Sequence, residues 1–168
     1  SRNTVLSLNF TSGQLQTVFR SQFTNASTEE AWPQGNYKNY FRFYLPTSAQ
    51  IDTIKVNNQI LEPSQYDLSF PQGKILLGFI TNLAPRQTQT LDIQFHQPLP
   101  EGPRFHYQLD LFNQPGLASS PLSISATFPP GWIVSSAQQP SVASSGSFRY
   151  NVLLDQPIRL DLDIAPGN

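Results

Sequence analysis

Residues 36–46, NYKNYFRFYLP, decide the fold. Tyr37, Phe41, Phe43 and Leu45 share one parity, and Lys38, Tyr40, Arg42 and Tyr44 share the other. Successive side chains of a strand point to opposite faces, so the run predicts a strand with an apolar inner face and an aromatic-basic outer face. Its aromatic content and strict alternation make it a poor helix.

The pattern repeats on both sides. In 4–10, Leu6, Leu8 and Phe10 share a face; in 15–23, Leu15, Phe19 and Phe23 do, with Val18 interrupting. Residues 24–35 read as a polar loop carrying Glu29-Glu30 and Trp32-Pro33. Short apolar runs at 51–56 and 59–61 flank Asn57-Asn58, and tolerance of positive φ there predicts a tight hairpin. A second hairpin is expected at Pro71-Gln72-Gly73, between 66–70 and 74–80. Further strands are predicted at 88–96, 105–111, 122–128, 132–135 and 148–154, with a Ser/Pro/Gly-rich loop at 138–146. In 158–164, Ile158, Leu160, Leu162 and Ile164 alternate with Arg159, Asp161 and Asp163. No segment has a 3.6-residue period. Short strands spaced by about 8–12 residues suit a sandwich or barrel. The expectation is an all-β, antiparallel, two-sheet β-sandwich of immunoglobulin-like character with about ten short strands. It is expected to be a single domain over 1–168, with 98–103 as the place where it would subdivide.

Composition narrows the function classes. Charged residues are 12% of the chain and the net charge is -1, with no basic run, so a nucleic-acid partner is not expected. Absence of cysteine excludes disulfides, thiol nucleophiles and thiolate metal sites. No apolar run is long enough to span a bilayer, so this segment is not expected to insert in a membrane. Fifteen prolines argue for loops over long helices. The chain opens at Ser1 and stops after Pro166-Gly167-Asn168, and is expected to be a segment of a longer protein.

Three stretches resemble a bacterial family. Tyr37, Asn39, Tyr40, Arg42, Tyr44, Pro46, Ile51 and Ile54 fit a tyrosine-x-asparagine-tyrosine strand closing on proline and leading into a second strand. LAPRQTQTLDIQF at 83–95 fits its proline–threonine–leucine strand entry, and YQLDLFNQPGLASSPL at 107–122 fits a strand running through glutamine-proline-glycine to proline-leucine. Together they cover about half of the chain, and they resemble the C-terminal region of large bacterial surface proteins with one N-terminal membrane span, a domain of unknown function. That family has no established activity. The resemblance implies an extracytoplasmic module tethered at the cell surface through another part of its parent chain. The 138–146 loop has no counterpart in it.

Lys38, Tyr40, Arg42 and Tyr44 are the candidate ligand-binding residues. Such a ladder could form a sugar platform, a protein-binding strip, or cross-strand packing on a solvated face. Trp32 and Trp132 are further aromatic candidates. If 88–96 and 105–111 formed a hairpin about Glu101, His96 would oppose His106, a weak metal candidate, and Asp92 would oppose Asp110. Asp92, four residues from His96, would be about 13 Å along the strand and unable to complete a shell. No nucleophile turn or paired buried carboxylates are present, so no catalytic residue and no cofactor are predicted. Lys38 and Lys55 point outward and Lys74 sits at a turn, which disfavours a Lys–Asn cross-link. Asn9-Phe10-Thr11 and Asn25-Ala26-Ser27 match the glycosylation sequon. The expected role is a non-enzymatic structural or adhesive module with envelope proteins or surface glycans as partners. The alternatives are a carbohydrate-binding module using the outer tyrosines, and a hydrolase.

Overall fold

The computed structural model describes residues 1–28, 35–112 and 119–166. Among these residues the chain forms fourteen strands: β1 (Arg2–Thr11), β2 (Gln14–Thr24), β3 (Tyr37–Pro46), β4 (Gln50–Val56), β5 (Gln59–Ile60), β6 (Asp67–Ser69), β7 (Lys74–Leu83), β8 (Thr88–Pro98), β9 (Phe105–Leu111), β10 (Ser120–Thr127), β11 (Ile133–Ser136), β12 (Val142–Ser144), β13 (Ser147–Leu154) and β14 (Ile158–Ala165). The fold is all-β and mostly antiparallel. The chain divides into two compact units, Ser1–Arg2 with Phe19–Gln97, and Asn3–Val18 with Pro98–Asn168.

In the first unit β3, β7 and β6 form an antiparallel sheet in that order, and β8, β4 and β5 pair antiparallel in that order. The Asn57-Asn58 hairpin forms as the residue types dictate. Lys55 opposes Ile60, Val56 opposes Gln59, and the two asparagines carry φ of 52° and 65°. At the second turn Gln72 and Gly73 take φ of 50° and 69°. The core gathers inward-facing residues of β2, β3, β4, β7 and β8: Phe23, Phe41, Ile54, Leu77, Phe79, Leu83, Leu91 and Ile93. Phe41 meets Phe23 at 5.0 Å and Phe79 at 5.4 Å between ring centroids. Asn25 is a buried strut. Its Nδ2 donates to the Gly35 and Leu83 carbonyls at 2.8 and 2.9 Å, and its Oδ1 accepts from the Ser27 amide. Both amide hydrogens are thus used within the fold, so this sequon is not an open acceptor.

In the second unit β11, β14 and β9 form an antiparallel sheet in that order. β12, β13, β10 and β1 follow one another, with β10 and β1 parallel. Phe10 stacks on Phe128 at 4.9 Å and meets Tyr107 edge-on at 5.4 Å, and Leu122, Ile124, Ala126, Leu160, Leu162 and Ile164 of this unit are buried.

Several expectations need correction. Among the described residues there are fourteen strands rather than about ten. One ladder is parallel, because β1 is joined to β10 through more than a hundred residues, and such a long connection permits either direction. The 138–146 segment carries an edge strand, β12, whose Val142, Ala143 and Ser144 pair with Arg149, Phe148 and Ser147. β8 does not form a hairpin with β9. β8 pairs with β4, Gln50 lying opposite His96, and β9 pairs with β14, His106 lying opposite Asp163.

Leu77, opposite Phe43 in the β3–β7 ladder, is fully buried, whereas Tyr44 is 57% exposed. Leu77→Ala should destabilise the protein by about 2–5 kcal/mol, and Tyr44→Ala by less than about 1 kcal/mol, in urea unfolding.

Candidate functional site

β3 presents its outer parity to water. Lys38, Tyr40, Arg42 and Tyr44 are exposed, while Asn39, Phe41 and Leu45 are buried. Register with β7 sets Lys38 beside Asn82, Tyr40 beside Ile80, Arg42 beside Gly78 and Tyr44 beside Leu76. β6 extends two of these rows, placing Asp67 beside Gly78 and Ser69 beside Leu76. Tyr40, Tyr44 and Ile80 are 47%, 57% and 58% exposed. All four residues read from the sequence therefore share one face of one sheet.

Gly78 shapes that face, and the sequence pattern does not reveal how. It has no side chain, and the Tyr40 ring lies across it. A Cβ built there would sit 2.9 Å from Tyr40 Cζ and 3.1 Å from Cε2. A glycine within a strand often marks such a close approach. Tyr40 thereby lies down over the sheet instead of standing away from it. Among the described residues, neither Lys38 nor Arg42 makes an ion pair. Two other arginines do: Arg20 Nε donates to Asp92 at 2.9 Å, and Arg159 Nε to Asp110 at 2.7 Å.

The histidines do not assemble a joint site. His96 Nδ1 lies 2.8 Å from Asp52 Oδ1, where a bulge displaces the β4 register between Ile51 and Thr53. His106 stands between two carboxylates, Nδ1 at 3.0 Å from Asp163 and Nε2 at 3.2 Å from Asp161. Carboxylates only accept, so both contacts are satisfied when the ring carries both protons. The Asp163 hydrogen bond, reinforced by Asp161 and opposed by desolvation, raises the His106 pKa above its ordinary value. Among the described residues no group of three His, Cys, Asp or Glu side chains is arranged to hold a metal ion. The Asp–His contacts follow from pairing 105–111 with 158–164, whose alternations match equally well; that register was the missed signal.

Trp132 meets Phe105 edge-on at 6.4 Å. Both line an open cleft of about 260 Å³ in the second unit, with Gly13, Leu99 and Pro166. Trp32 lies outside the described residues. Burial pushes the Tyr107 phenol above its ordinary range, which leaves it neutral.

No protein-family model matches the chain, and no curated protein matches it. Among solved structures, a candidate nutrient-binding protein of Legionella pneumophila matches with a TM-score of 0.56 at 9% identity, over 96% of this chain and 66% of that one. A two-domain M1 zinc metallopeptidase bound to L-tryptophan matches with a TM-score of 0.50 at 9% identity, over 98% of this chain and 43% of that one. This chain therefore spans under two thirds of the first structure and under half of the second. Likeness at 9% identity is a likeness of fold.

A raised His106 pKa adds stability that is fully present below the unfolded-state value and lost as pH rises through the folded-state value. By NMR, the His106 ring should titrate above 6.5, and Asp163→Asn should move the midpoint down. An unchanged midpoint would mean that the Asp163 bond does not form in solution.

Proposed function

We propose that this chain is a non-enzymatic, extracytoplasmic binding module of a membrane-anchored bacterial surface protein, and that the outer face of β3 and β7 is its working surface. The observation that carries this reading is Tyr40 lying over Gly78, with exposed Arg42 and Tyr44 beyond it on the same parity. Tyrosine and arginine dominate binding energy where they occur at interfaces, because each offers a large contact area together with a polar end. Low charge and the resemblance of residues 37–56 to envelope-tethered proteins support the location. The paired sheets of each unit are read as sandwich-like layers holding that face rigid. Its partners are envelope proteins or surface glycans.

The test measures binding of the labelled chain to isolated bacterial envelopes. The Tyr40→Ala/Tyr44→Ala variant should lose affinity at least tenfold, the effect of about 1.4 kcal/mol. Gly78→Ala offers a second probe. Its new methyl displaces the Tyr40 ring, so affinity falls, while stability changes by less than about 1 kcal/mol because a strand glycine is itself unfavourable. Full binding by the double variant rejects this face. Turnover of any ester, glycoside or peptide substrate rejects the non-enzymatic role.

A further inference from the structure

We infer that the occupant of the β3–β7 face is an acidic polysaccharide, a linear chain of carboxylate-bearing sugars; the inference rests on that face being the binding surface. The face is an open sheet surface and not a cavity. Small ligands need concave sites that bury most of their area, whereas a polymer can gather weak contacts along a flat track. Tyr40 and Tyr44 lie four residues apart on one strand, about 13 Å along the backbone, and the Tyr40 ring leans across Gly78 of β7, so the two tyrosines offer separate contacts on one sheet face.

The charges alternate with the rings. Lys38 stands two residues before Tyr40, and Arg42 stands between the two tyrosines. Neither cation is neutralised by a carboxylate among the described residues, whereas Arg20 and Arg159 are. A ligand laid along β3 would thus meet cation, ring, cation, ring. Arginine's planar fork binds carboxylates in bidentate fashion, and a tyrosine face packs against the C–H surface of a sugar ring while its hydroxyl bonds to the ring's hydroxyls. Asp67 lies on the β6 side of the Arg42 row, which directs an anionic chain toward β3. A nucleic acid would need many more phosphate-neutralising cations than these two, in a chain of net charge -1.

Affinity electrophoresis of the purified chain through gels containing polygalacturonate, alginate or neutral dextran tests this. The wild type should be retarded by the two polyuronates and not by dextran. Lys38→Gln/Arg42→Gln should weaken retardation about tenfold, the loss expected for a charge-assisted hydrogen bond. Added salt should weaken the wild type in the same direction. Equal retardation by dextran, or retardation indifferent to Lys38→Gln/Arg42→Gln, overturns the acidic ligand and leaves the face standing. So does an absence of retardation in every gel combined with Tyr40- and Tyr44-dependent binding to a protein in envelopes. Polyuronate binding unchanged in Tyr40→Ala/Tyr44→Ala would instead overturn the face itself.

Discussion

Everything on the candidate face depends on rings packed beneath it. Phe41 lies against Phe23 and Phe79, and Phe43 meets Phe19 edge-on at 5.1 Å. Burying one phenylalanine contributes about 1.5–3 kcal/mol, and each ring pair about 0.5–1.5 kcal/mol more. Slipping β3 by one residue would turn these rings to water and drive Lys38 and Arg42 into the core, at several kcal/mol per charge. The outward direction of Tyr40 and Tyr44 is therefore set by what lies on the other side of the strand. Nothing on the outer face has to hold it there.

This separates what could be read from the chain from what could not. Burial parity is a local property, so Phe41 inside and Arg42 outside were legible, as was the Asn57-Asn58 turn, where residue type and positive φ go together. Partner choice is not local. The alternation of 105–111 matches 88–96 and 158–164 equally well, and only the whole packing assigns β9 to β14. The same holds for the parallel β1–β10 ladder, since parity carries no direction. β12 escaped notice because three exposed residues at an edge need no apolar partner. Gly78 was visible as a glycine, but its use as the bed of the Tyr40 ring depends on the register between two strands.

The second unit joins its strands on another principle. Along the outward rows of β1, β10 and β13, uncharged side chains link across: Thr127 Oγ1 donates to Asn9 at 2.8 Å, Ser125 Oγ to Ser7 at 3.2 Å and Ser123 Oγ to Asn151 at 2.9 Å. Short hydroxyl and amide groups lose little rotamer freedom when they pair, and salt does not screen them as it screens surface ion pairs. A chain poor in charge can thus knit a wetted sheet face and leave a few cations unengaged elsewhere.

The β1–β10 ladder also sets a schedule. Asn9 and Thr127 are neighbours in space and 118 positions apart in the chain. At a synthesis rate of about 5–20 residues per second, the ribosome needs on the order of ten seconds after making β1 to deliver its companion. Throughout that interval Leu6, Leu8 and Phe10 await the layer that finally shields them. Long-range closure of this kind slows folding and leaves apolar surface available to trespassers. β1 is thus made well before the strand that completes it, and is among the last of the described strands to be finished.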